Sequence, residues 1–242
     1  MNIDVGGSRD AHGPRTGRRT RRGLLLAVVV LGACAGDPPT QDGPSSHLRF
    51  VQAVPNAPAV DLLVDSAPRA ASLGYGAATG FLRVEAGNRR VQMRQSGTST
   101  MLMDLTMPVE FPRAYTVISS GLLNDVQPIV APDTASIPLA GEIKLRVLQM
   151  APSGGTVDVY VTDPNAALAG ATPVFQDLPF RGNTEYLVLP VGNVRIRITV
   201  AGSTTTLVDL TRLFGERVMR TVVMTDAAGG GAPFTGLLLV DF

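Results

Sequence analysis

Residues 48–55 read LRFVQAVP, and residues 145–152 read LRVLQMAP. The two stretches align at an offset of 97, and the match runs on without a gap from VDLLV at 60–64 to VDVYV at 157–161. Farther along, FL at 81–82 meets YL at 186–187, GN at 87–88 meets GN at 192–193, and DLT at 104–106 meets DLT at 209–211. TVI at 116–118 meets TVV at 221–223. The offset there is 105, so the second copy has gained eight residues, which we place in a loop at 163–171 (DPNAALAGA). An internal repeat decides architecture before any single element does. Each copy is long enough to close a core without a disulfide.

The segments inside each copy are short and alternate. RVQMR at 90–94 and RIRIT at 195–199 have the period of two expected of a half-buried strand. Glycine and asparagine precede both, as turn residues do. About seven such segments per copy, with no amphipathic helix after Cys34, predict an all-β chain. The expected fold is two tandem β-sandwich domains, immunoglobulin-like or transthyretin-like. The predicted repeats are 47–139 and 140–242, with IPLAG at 137–141 as the boundary. Arg90, Arg94, Arg195 and Arg197 are expected to point outward. They form a solvated face or contact anionic polymers or lipid headgroups.

The first 33 residues read as a signal peptide. Arg18, Arg19, Arg21 and Arg22 precede ten apolar residues at 24–33. A membrane-spanning helix needs about 20 such residues, so this run fits a signal-peptide core instead. It ends in LGAC at 31–34, which resembles the lipobox of bacterial lipoproteins. The resemblance implies a diacylglyceryl group on Cys34, which becomes the mature N-terminus. The protein is then expected in the cell envelope, exported and held to a membrane by lipid, on the periplasmic or cell-surface side. TRRGLL at 20–25 also looks like a twin-arginine export signal, with general secretion as the alternative. Residues 35–46 (AGDPPTQDGPSS) lack apolar periodicity and read, with Cys34, as a tether over 34–46.

FVQAVPNAPAVDLLV at 50–64 is similar to the opening signature of a bacterial family known as domain of unknown function 4397, V-H-A-S-P-D-A-P-A-V-D-V-Y-V. That resemblance implies secreted or surface-anchored sandwich domains, often in tandem, with no established activity. The family's histidine is Gln52 here and Gln149 in the second copy. A role that needed an imidazole is therefore absent from both.

The chemistry-bearing residues are sparse. His12 falls in the signal and His47 at the end of the tether. A Ser-His-Asp triad needs an imidazole held by packing, and zinc needs clustered His and Cys. Neither pattern is present. No Gly-rich phosphate loop or nucleophile elbow occurs. Six of the 21 basic and two of the 20 acidic residues precede Cys34. The remainder, with 15 basic and 18 acidic, carries −3, which is no footprint for nucleic acid.

Carboxylates are left. Asp61 and Asp158 recur at one position of the repeat, followed by Asp65 and Asp163. They could bind calcium or act as acid and base, or they could be strand residues that bond a neighbouring turn. Trp is absent, so aromatic sugar platforms are poor, and Phe81 and Tyr186 are expected to fill the core. No cofactor, metal or catalytic residue is expected. The expected function is an envelope-anchored, non-catalytic binding, adhesion or structural module, with an envelope protein or polymer as partner. The alternative is a carboxylate-based hydrolase or an accessory domain for cell-envelope polysaccharide.

Overall fold

The computed structural model describes residues 44–133 and 135–241. The signal peptide, Cys34 and the tether up to residue 43 lie outside the described residues. Sixteen strands occur among the described residues, and the one helical element is a single 3-10 turn at Pro152–Gly154. The first copy holds β1 (Ser45–Ala53), β2 (Val60–Val64), β3 (Ala67–Leu73), β4 (Leu82–Glu85), β5 (Gly87–Gln95), β6 (Met101–Val109), β7 (Ala114–Ser120) and β8 (Gln127–Pro132). The second holds β9 (Glu142–Gln149), β10 (Val157–Thr162), β11 (Phe175–Leu178), β12 (Leu187–Pro190), β13 (Gly192–Val200), β14 (Thr206–Phe214), β15 (Met219–Thr225) and β16 (Thr235–Val240).

Each copy makes its own two four-stranded sheets. The orders are β4-β1-β7-β8 and β3-β2-β5-β6 in the first, and β12-β9-β15-β16 and β11-β10-β13-β14 in the second. The second pair repeats the first strand for strand. An immunoglobulin sandwich would put its first, second, fourth and fifth strands in one sheet. Here the first and second strands lie in different sheets, so the immunoglobulin order is excluded. Each copy has eight strands where the sequence suggested about seven.

Leu48, Phe50, Leu62, Met93 and Val117 form one core between the sheets of the first copy. Leu145, Val147, Val159, Ile196 and Val222 form the equivalent core of the second. Alternate residues of β1 and β9 supply these cores. The residues between them do not face water. Val51, Ala53, Ile118 and Ala131 of the first copy pack against Leu148, Met150, Val223 and Leu239 of the second. The β1 sheet and the β9 sheet are therefore face to face, and the two copies form a stack of four sheets. Burying each such aliphatic side chain stabilises the stack by about 1.5–3 kcal/mol.

This contact explains a local choice. β1 pairs with β7 in parallel, and β9 with β15 likewise. Parallel strands occur where both faces are covered and read as continuous apolar runs. LRFVQAV and AYTVISS are such runs, and β7 is buried along its whole length.

One boundary differs from the expectation. β1 begins at Ser45, inside the stretch read as tether, because the buried Ser46 hydroxyl donates to the Glu110 carbonyl at 2.7 Å. His47 is thus an exposed strand residue of the first copy rather than part of the tether. The inserted residues fall between β10 and β11, in the loop where the sequence places them. In the first copy Asp65 and Ser66, both at positive φ, close the hairpin from β2 to β3 in two residues, as a tight hairpin turn requires. Residues 163–174 replace that turn in the second copy.

Candidate functional site at the junction of the two copies

β1 and β9 each place one arginine among apolar neighbours on the face that meets the other copy. Arg49 and Arg146 are the equivalent residues of the opening repeat, and both are almost fully buried. A buried guanidinium must be paired and hydrogen-bonded to be tolerated. Arg49 donates through Nε and Nη2 to the Thr116 hydroxyl at 3.1 and 2.8 Å. Its Nη1 donates to the Val240 carbonyl at 2.7 Å, and Nη2 to Asp241 Oδ1 at 2.7 Å. Arg146 repeats the pattern in reverse. Its Nε donates to the Thr221 hydroxyl at 2.8 Å and its Nη1 to the Pro132 carbonyl at 2.9 Å. Its Nη2 pairs with Asp133.

Each arginine therefore bonds a threonine of its own copy and an aspartate that ends the other. The threonines close the circuit. Thr116 donates to Asp133 Oδ2 at 2.7 Å, and Thr221 to Asp241 Oδ2 at 2.8 Å. Both aspartate side chains have no exposed surface.

Phe81 and Tyr186 cover the guanidinium groups, with ring centroids 4.6 and 4.7 Å from the arginine Cζ. These two rings are half-buried and lie just before β4 and β12. This corrects the expectation that they fill the core: the arginine on the outer side of the sheet draws the ring to itself by cation–π attraction. Tyr186 also donates its hydroxyl to Asp241 Oδ2 at 3.0 Å, a bond Phe81 cannot make. Burial pushes the Tyr186 phenol well above its ordinary range, with Asp241 and Asp133 adding to the shift. Burial likewise raises the Asp133 carboxyl, against the pull of Arg146 and Thr116.

The loops at the far end of the junction add further ties. Tyr75 donates to the Asp226 carbonyl at 2.7 Å, and Gly229 N–H to the Pro55 carbonyl at 2.7 Å. Arg181 pairs with Asp125 at 3.0 Å. Gly121, at φ +105°, sits under this pair. A Cβ there would lie 2.2 Å from the Asp125 carbonyl oxygen and 2.7 Å from Arg181 Nη2.

The residues singled out from the sequence lie elsewhere. Asp61 accepts from Ser96 Oγ at 2.6 Å and Ser72 N–H at 3.0 Å. The Ser96 bond is the main reason its carboxyl is held below the usual range. Asp158 is buried and accepts from Asp177 N–H at 2.9 Å and Gly202 N–H at 2.8 Å. Asp61 and Asp158 occupy the two outermost sheets, with three sheet spacings of about 10 Å between them. Gln52 Oε1 accepts from Val54 N–H at 2.6 Å, and Gln149 Oε1 from Ala151 N–H at 2.7 Å. Gln149 Nε2 also donates to the Gly155 carbonyl at 2.8 Å. Gln52 and Gln149 bond the turn that follows their own strand, whereas Asp61 and Asp158 each bond the neighbouring strand and the turn of an adjacent hairpin.

Arg197 corrects the outward set. It is buried and donates to Thr162 Oγ1 at 2.9 Å. Arg90 and Arg195 do face solvent, each against an aspartate of the next strand, Asp104 and Asp209. Among the described residues, no cluster of three or more His, Cys, Asp and Glu is placed to hold a metal. No helix of the described residues is long and apolar enough to cross a membrane.

Sequence reasoning did not find Arg49 and Arg146 as a site. The signal was present: both copies carry an arginine at the second position of an otherwise apolar run.

No curated protein matches the chain. Among solved structures, a family CBM26 module from Eubacterium rectale Amy13K with maltoheptaose is 10% identical. It aligns over 81% of this chain and 95% of its own, with a TM-score of 0.26. A streptococcal virulence factor described for alpha-glucan binding is 12% identical over 74% and 93%, at 0.27. Family 41 carbohydrate-binding modules from streptococcal virulence factors give 16% identity over 75% and 94%, at 0.26. A family model described as domain of unknown function (DUF4397) matches residues 46–160, through the first sandwich and into β10, and supports the family whose signature opens the first copy.

Proposed function

We propose that this chain is an envelope-anchored, non-catalytic binding, adhesion or structural module, carried on a lipid at Cys34 and acting as one rigid double sandwich. The supporting observation is the junction. Four buried charges exchange partners between the copies, and an apolar cluster surrounds them. A module that presents surfaces at a fixed separation needs this coupling, whereas independent domains on a linker do not. Its partner is an envelope protein or polymer.

The carboxylate-hydrolase alternative has less support, because Asp61 and Asp158 lie in different outer sheets and each is occupied with donors of neighbouring strands and turns. Cys34→Ala should release the protein from membranes. A variant that still pellets after a high-salt wash would overturn the anchor. Hydrolysis of envelope polysaccharide by the purified chain, lost in Asp61→Asn or Asp158→Asn, would overturn the non-catalytic reading.

A further inference from the structure

The end of the first sandwich where the described chain begins holds an open groove of about 730 Å³, lined by Ser45, His47, Phe111, Arg113, Ile137 and Met219. Its rim is apolar and uncovered: Phe111 is 58% exposed and Ile137 60%. Large apolar side chains exposed together on a rim mark an interaction surface more often than a bare one.

The charges around it are unequal in sign. Arg83 Nε donates to Ser45 Oγ at 2.7 Å, and Arg69 Nη2 donates to the Arg83 carbonyl at 2.6 Å. Neither arginine has an ion-pair partner among the described residues. The nearby carboxylates are taken: Glu110 by Arg113 at 3.1 Å, Glu85 by Arg89 at 3.6 Å, and Asp133 by the buried Arg146. Beside Ile137, Glu142 accepts from the Leu139 N–H and Lys144 donates to the Ser136 carbonyl, neither in an ion pair among the described residues, so these two charges offset and Arg69 and Arg83 leave the unpaired charge positive.

Chain length sets how far this face can lie from the anchor. Only eleven peptide units separate Cys34 from Ser45. Fully extended they reach about 40 Å at most. A lipid on Cys34 would attach the chain at this end of the sandwich, within that reach of the headgroups.

We propose that the N-terminal end of the first sandwich is a membrane-contacting face, with Phe111 and Ile137 entering the interface of an anionic bilayer and Arg69 and Arg83 meeting its phosphates. The inference rests on the lipid-anchor reading of Cys34 and adds an orientation to it. Aromatic and aliphatic tips at headgroup depth, flanked by arginines, are the physical pattern of interfacial binding.

The chain has no Trp, so a single introduced indole reports its own depth. The full-length lipidated protein carrying Phe111→Trp is reconstituted into vesicles of phosphatidylethanolamine and phosphatidylglycerol, with plain or brominated acyl chains. Leu123→Trp is the control. Leu123 follows β7 at the end opposite Phe111, about 20 Å away along a seven-residue strand. Brominated lipid should quench the Phe111→Trp emission severalfold and leave Leu123→Trp unchanged. Replacing phosphatidylglycerol with phosphatidylcholine should weaken the quenching.

Protein that floats with the vesicles while both indoles are equally unquenched overturns this face and leaves the anchor standing. A blue-shifted but unquenched Phe111→Trp indole means that protein covers the groove, which also overturns it. Quenching that is equal in phosphatidylcholine overturns the role of the two arginines. Protein that does not float, with Cys34 unmodified by mass spectrometry, overturns the anchor and this face with it.

Discussion

On the outer sheets Arg90 and Arg195 each meet an aspartate fourteen residues later, on the neighbouring strand of the same sheet and in view of solvent. On the inner sheets Arg49 and Arg146 meet aspartates of the other copy, with at most 3% of either side chain exposed. Both sets are duplicated and both join Arg to Asp, yet their energetic meaning is opposite. An exposed pair gains little, because water and salt screen it and two long side chains lose freedom. A buried pair costs much desolvation, recovers it only with complete hydrogen bonding, and leaves an uncompensated charge when one member is lost. Duplication thus yields a surface ornament in one layer and an obligate lock in the next.

The sharpest way to break this contrast is to remove one buried arginine. Arg146→Met should cost about 3–5 kcal/mol of unfolding free energy in urea titrations, because Asp133 is left buried without its counter-charge. Removing both members of a pair, in Arg49→Met with Asp241→Leu, should recover most of the corresponding loss. If the double variant is no more stable than Arg49→Met alone, the lock is packing rather than charge.

The next effect distinguishes the two halves of the lock. Tyr186→Phe makes the second half resemble the first and removes one bond to a charged acceptor, so thermal melts should show a loss of about 1–2 kcal/mol. The outer pairs should give less. A combined Arg90→Ala and Arg195→Ala variant should unfold at nearly the wild-type denaturant midpoint, and the small difference should vanish in high salt. A loss as large as that of Arg146→Met would remove the distinction between the layers.

The smallest effect is in acid. Hydrogen bonds from Arg90 and Arg195 hold the Asp104 and Asp209 carboxyls below their ordinary value of 3.8. What they lend is complete above that value and is lost as pH falls below it through the folded-state values. Asp133 is displaced upward by burial, so just above its ordinary value acidification favours the folded state through that group. The melting curves of wild type and the Arg90→Ala, Arg195→Ala variant should therefore converge as pH drops below 3.8. Curves that stay separate would mean that the outer arginines act through packing.

Much of the fold was legible, for reasons that attach to particular residues. The repeat LRFVQAVP and LRVLQMAP marked two domains because duplicated cores need the same pattern of apolar positions. The alternation of RVQMR and RIRIT marked half-buried strands, although Arg197 shows that an outward position can still be buried, bonded to Thr162 of the neighbouring strand. The recurrence of Asp61, Asp158, Gln52 and Gln149 was visible too. Their bonding to adjacent turns and strands needed coordinates, because a recurring polar residue reads the same whether it serves the fold or a ligand.

The junction was the least legible part. Asp133 and Asp241 fall at the ends of their copies, at an offset of 108 that the aligned segments do not share, and neither bonds the arginine of its own copy.

From the sequence alone, this chain's β class, its duplication and its lack of a histidine- or cysteine-based catalytic pattern follow, because each depends on residue type and spacing along the backbone. The pairing of the two copies was decided only in three dimensions. Which arginine meets which aspartate depends on which sheet faces turn toward each other, and that is set by the summed burial of surfaces contributed from distant parts of the chain.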